Sequence, residues 1–243
     1  MRDGEGQAGA GCRLSVLLLA SLSLAVYVWH VGVEFGRART HGFPVYYTAS
    51  RIVLQEPESF HRVYEDAWFV SKLQESGFPG VYDIYNVHPP TMALMMLPLV
   101  ALAPDAARLV WCIGGVVLVA LGLGVLGHAL GVGWRTGLAL APLCLVLRPV
   151  WENLQYGQAY LLIFALQCVF IALVVRGSEA AAGAVLSSML LLKTAGVWQL
   201  LALLAARRWR TVGGAAFGAL LGAFVSLPVV GASAWVAYFR LLP

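Results

Sequence analysis

The chain has 243 residues, of which 60% are hydrophobic and 12% charged, against roughly 45–50% and about 25% in ordinary soluble domains. With a mean hydropathy of +0.79 it cannot cover itself with polar surface in water, which argues against a soluble globular enzyme, a disordered chain and a disulfide mini-protein. The net charge of +4 comes from 14 Arg and two Lys against 12 acids. No basic stripe with interleaved aromatics accompanies it, so no nucleic-acid partner is expected.

Residues 1–13 are Gly-rich and polar and read as a disordered cytoplasmic tail. Residues 14–33 form an apolar run of about 20 residues, enough to cross ~30 Å of hydrocarbon. The run is long for a signal peptide and no clean small-residue cleavage site follows it. It reads as a first membrane helix with its N-terminus inside. Residues 34–90 carry 12 of the 28 charges, seven of them acidic. This segment reads as one long extracytoplasmic loop, with amphipathic helices around YYTASRIVL and AWFVSKLQ.

After Pro89-Pro90 the chain becomes apolar over 91–103, 106–130, 136–147, 158–175, 181–192, 194–206 and 211–231. The fold class expected is an all-α polytopic membrane bundle over 91–243, with about six to eight membrane helices, several short or broken. The Arg207-Arg208-Trp209-Arg210 cluster is the strongest cytoplasmic marker, with Arg135 and Arg176 weaker ones. If 181–206 is one helix, Arg176 and that cluster fall on opposite sides. If it is two half-helices meeting at Lys193, both basic segments share a side, and this arrangement is preferred. Cys12, Cys112, Cys144 and Cys168 form no CxxC and three lie in apolar runs. They read as packing residues, and neither metal nor cofactor is expected.

Polar groups at membrane depth are costly, so each is a functional candidate. Lys193 has no charge for 13 residues on either side. It suits either a snorkelling cation or a contact for a phosphate or phospholipid head group. The polar turn around Tyr156 and Gln158 suits the rim of a polar substrate, with tyrosine faces for a sugar ring. Asn86-Val87-His88-Pro89-Pro90 fixes the chain's return to the bundle, and His88 could act as acid, base or donor near neutral pH. Phe43 to Arg51, with Tyr46 and Tyr47, suits an interfacial aromatic belt.

Taken in order, FPVYY, NVHPP, YGQAYLL, LLLKTAGVW and RRWR resemble the motifs of the polyprenol-phosphate-mannose-dependent glycosyltransferases of family 87, whose fold is of the GT-C type. The resemblance runs from about residue 30 to the end and includes the spacing of Ser233, Trp235 and Tyr238. It implies a multi-pass protein of the bacterial plasma membrane. Such an enzyme takes a sugar, usually mannose, from a polyprenyl-phosphate carrier and transfers it to a cell-envelope glycan or glycolipid. The displacement is inverting, a loop carboxylate takes the acceptor proton and a basic residue stabilises the leaving phosphate. On this resemblance Lys193 is the phosphate contact, and Tyr46, Tyr47, Arg51, Asn86, His88, Tyr156 and Gln158 are substrate contacts.

The chain departs from the pattern in three ways. Gly42 stands where the family has its catalytic Asp, leaving Glu34, His41, Asp66 and Asp83 as the nearby acids and bases. His88 and Thr194 replace a Tyr and a Pro. The chain is also shorter than family members, which suggests a fragment or a degenerate paralogue. Two rival classes are a non-catalytic membrane protein that binds a lipid carrier and a small transporter. The asymmetric loop argues against the transporter.

Overall fold

The computed structural model describes residues 15, 18–23, 25–26, 41–85 and 88–242. The expected tail over 1–13, Glu34 and Asn86 lie outside these residues, as does much of 14–33, whose described positions are helical. Every regular element among the described residues is helical.

The charged segment folds as a compact helical cap. Helix α1 (Phe43–Gln55) starts on Gly42, with Pro44 in its first turn, where the missing N–H costs nothing. A 3₁₀ stretch (Pro57–Tyr64) and α2 (Asp66–Glu75) follow. Amphipathic spacing suggested helices half-sunk in an interface, but α1 is buried on nearly every face. Its neighbours supply the apolar cover: Tyr46, Phe60, Phe69, Tyr85, Met92 and Met96 are fully buried in one core.

The apolar run 91–103 forms 3₁₀ turns at Pro90–Leu94 and Leu97–Leu99 rather than one regular helix. Pro98 can neither donate to a helical ladder nor clear the carbonyl four residues back. The Ser50 hydroxyl takes up one spare carbonyl of this run, Ala93 O, and the Thr91 hydroxyl reaches out of it to Leu191 O.

Beyond the cap lies a bundle: α3 (Pro104–Ala129), α4 (Trp134–Leu145), α5 (Arg148–Tyr156), α6 (Tyr160–Val175), α7 (Glu179–Lys193), α8 (Val197–Ala205), α9 (Trp209–Val230) and α10 (Ala232–Leu241). Among the described residues, α3 and α9 are long and apolar enough to cross a membrane, and α6 is apolar but shorter. Their outward faces are apolar as well. Leu109, Ile113, Val117 and Leu121 on α3 and Phe217, Leu220 and Phe224 on α9 are all exposed, which suits lipid and not water.

The order of contacts between α7 and α9 gives their relative direction. Gly183 lies on Thr211 and Ala215, Ser187 on Gly218, and Leu191 on Gly222. Both registers rise together, so the two helices run parallel. The nine residues of α8 must therefore lead the chain back. The break falls at Lys193, where Thr194 takes a left-handed conformation at φ 53. Arg208 pairs with Glu179 at 3.2 Å, so the Arg176 segment and the Arg207–Arg210 cluster share one end of the bundle. Lys193 lies at the other end, against the cap. This is the half-helix arrangement preferred from the sequence.

Gly214, Gly218 and Gly222 recur every four residues along α9 and let the helix backbones approach closely. Gly218→Val should therefore overpack the contact with Ser187 and cost about 1–3 kcal/mol. A lowered thermal midpoint in detergent micelles, with helix content retained, is the expected result.

Candidate active site

The site is built around the end of α7. The Lys193 ammonium donates to Gln158 Oε1 at 2.7 Å and to the Tyr46 hydroxyl at 2.9 Å. Tyr46 in turn donates to Gln158 Oε1 at 2.7 Å. The ammonium also sits 4.0 Å over the Tyr160 ring. No carboxylate lies within ion-pair distance of it among the described residues. Lys193 thus has three neutral neighbours and no ion pair among the described residues, an arrangement that can receive an anion.

Local backbone geometry brings these residues together. Helix α5 ends on Gly157 in a left-handed cap at φ 63. Trp111 Nε1 donates to Gly157 O at 2.9 Å and pins this turn to α3. Gln158 then projects beside α1. Tyr46 is fully buried, and burial holds its phenol above its ordinary pKa, so it remains a neutral donor.

Gly42 is the hinge between this cluster and a second group. Its φ is 76, and a Cβ added there would stand 2.7 Å from Gln158 Nε2 and 2.8 Å from Tyr156 O. Glycine at this position is therefore a packing requirement of this chain. A carboxylate still reaches the same peptide: Gly42 N donates to Asp83 Oδ2 at 3.1 Å. Ile84 N donates to Asp83 Oδ1 at 2.9 Å. His41 Nδ1 faces Asp83 Oδ2 at 3.6 Å.

His41 and Tyr156 help line a cavity of about 240 Å³ between the cap and the start of α3. Phe43 and Phe78 give it apolar walls, and Asp105 and Arg108 give it polar ones. Arg108 is itself buried and donates to Gln155 O at 2.6 Å.

Of the residues singled out in the sequence, Lys193, Tyr46 and Gln158 converge on one cluster. Tyr156 and His41 meet at the cavity, with ring centroids 6.2 Å apart. His88 is buried 5.4 Å from the Tyr46 ring and 5.5 Å from the Tyr85 ring. Burial, with the nearby Lys193 ammonium, pushes its imidazole down to about 3. His88 is therefore neutral at physiological pH and is no acid or base there. Tyr47 turns away and donates to Leu102 O at 2.8 Å. Arg51 pairs with Gln55 on the surface. Asp66 is exposed at the start of α2. These three do not join the cluster. Tyr160, part of the YGQAYLL stretch, joins the cluster, whereas Arg108 and the placement of Asp83 beside Gly42 have no signal in the sequence. Asp83 lies 41 residues from Gly42, and no local pattern links the two.

The glycosyltransferase family 87 model matches residues 86–243 of the chain. No curated protein and no solved structure matches significantly.

Two predictions follow from the packing. Gly42→Ala should destabilise the protein by roughly 1–3 kcal/mol, since the added methyl must displace Gln158 or the Tyr156 carbonyl. The check is a denaturant midpoint in micelles, expected to fall with the slope unchanged. For His88, the unfolded chain takes up a proton near pH 6.5, whereas the folded chain resists it until about 3. Its contribution to stability is full above about pH 6.5 and declines as pH falls towards 3, by at most ~1.4 kcal/mol per pH unit. His88→Gln should flatten the fall in unfolding midpoint between about pH 7 and pH 4 by this amount.

Proposed function

Because the chain belongs to glycosyltransferase family 87, we propose that it transfers a sugar, mannose by family resemblance, from a polyprenyl-phosphate donor. The acceptor in this reading is a cell-envelope glycan or glycolipid. The carrying observation is the Lys193 cluster: an ammonium with no carboxylate partner among the described residues, held on Gln158 and Tyr46 where the cap meets the bundle. An ammonium in this setting attracts the donor's phosphodiester and stabilises the negative charge that develops as the phosphate leaves.

Tyr160 and Tyr156 offer ring faces to a sugar, and Gln158 offers its amide N–H to a sugar hydroxyl. The exposed apolar faces of α3 and α9 suit the lipid that carries a polyprenyl chain. In this reading the protein is polytopic, with about six to eight membrane helices in a bacterial plasma membrane. The cap and Lys193 face the extracytoplasmic side, and the N-terminus and the Arg207–Arg210 cluster lie in the cytoplasm.

A second reading, a non-catalytic protein that binds the lipid carrier, is favoured by the absence of a side chain at Gly42. One assay separates the two. Membranes from a strain lacking its own activity, carrying the wild-type chain, are given radiolabelled polyprenyl-phosphate-mannose. The expected result is transfer by wild type and a loss of about 10²–10³-fold in Lys193→Ala. Absence of transfer with correctly inserted protein would favour the carrier-binding reading. Transfer undiminished in Lys193→Ala would remove Lys193 from the mechanism.

A further inference from the structure

We infer that His41 is the proton acceptor of the transfer reaction, that Asp83 orients it, and that the cavity beside it receives the sugar hydroxyl of the acceptor. The inference rests on the glycosyl-transfer reading above. When a hydroxyl oxygen bonds to the anomeric carbon, the bond from that carbon to the phosphate oxygen breaks. Its electron pair leaves with the phosphate, towards Lys193. The hydroxyl proton must pass to a base within reach.

Position 42 cannot supply that base, because Gln158 and the Tyr156 carbonyl occupy the space a side chain would need. Asp83 is poorly placed to accept the proton directly. Both of its oxygens already accept backbone N–H bonds, from Gly42 and Ile84, and its side chain is 19% exposed. His41 has the complementary properties. Its side chain is 57% exposed, its Nδ1 faces Asp83 Oδ2, and it lines the cavity.

With Nδ1–H directed at the carboxylate, Nε2 is left with its lone pair. The contact of 3.6 Å is longer than a hydrogen bond, as unliganded catalytic contacts often are. Asp83 then compensates the imidazolium formed when Nε2 takes the proton. The other groups facing His41 are the Tyr156 ring and, across the cavity, Asp105 and Arg108. The cavity's aromatic and polar lining suits a sugar, which presents both C–H faces and hydroxyls. Gly42 lies between the two halves of the site, with Gln158 and Lys193 beyond it on the donor side.

The test uses the full chain in proteoliposomes, with radiolabelled decaprenyl-phosphate-mannose as donor and octyl α-mannoside as acceptor. His41→Asn is the informative variant. Residue 41 has φ 70, which Asn tolerates better than most residues, yet Asn cannot take up a proton. The expected result is a fall in kcat of about 10²–10⁴-fold, with the donor KM changed by no more than a few-fold. Asp83→Asn should lower kcat in the wild-type background with the donor KM changed by no more than a few-fold, and should lower it no further in the His41→Asn background, because the carboxylate acts through the imidazole. A purely structural role for Asp83 would lower kcat in both backgrounds alike. Transfer by His41→Asn within about three-fold of wild type, or equal losses from Asp83→Asn with and without His41, overturns this assignment alone. Absence of transfer by the wild-type chain overturns it together with the glycosyl-transfer reading.

Discussion

An ammonium held away from bulk water needs partners, because an uncompensated charge in a low-dielectric setting is among the most destabilising features a fold can carry. Lys193 meets this demand with neutral oxygens from two distant parts of the chain, Gln158 and Tyr46. The solution ties the last turn of α7, the turn after α5 and the buried helix of the cap to one point. Gly42 and Gly157 follow from it. Gln158 must pass close to α1, and a Cβ on either glycine would strike a neighbour across that gap. The cap is thereby oriented on the bundle by a polar contact, while the Tyr46–Phe60–Tyr85 core supplies the apolar area beneath.

The same cluster explains how the site divides its charges. Lys193 is surrounded by groups that do not ionise near neutrality: a buried phenol, an amide and an imidazole held neutral at His88. The acidic group of the site, Asp83, lies on the other side of the Gly42 peptide, fastened by two backbone N–H groups. Cation and carboxylate therefore share a site without forming a direct pair. The ammonium keeps capacity for a ligand that a salt bridge would have used, and the carboxylate stays free to face His41.

Hydropathy and charge were enough to read a helical membrane protein, to single out Lys193 and to break the 181–206 run there. The reason is physical: a lysine with 13 uncharged residues on each side is an anomaly that composition alone exposes. The motifs around Tyr46 and Gln158 were legible as polar features, and the structure joins them. The cap's depth of burial was not legible. Amphipathic spacing reports that a helix has an apolar face, but not that its other face is covered by a different element. The role of Gly42 was hidden for a related reason. A glycine reads as a missing side chain in a motif, whereas its φ and the atoms around it are tertiary facts. Asp66 looked as suitable a base as His41 on residue type alone, and only topology separates them.

Lys193 occupies the carbonyl end of α7. The unsatisfied carbonyls there carry a partial negative charge that favours a cation and opposes an anion. A phosphate bound by this lysine thus meets a weaker field than it would at a helix amino end, where phosphates are held tightly. An anion held by this lysine is therefore held less tightly than one at a helix amino end, and it exchanges more readily.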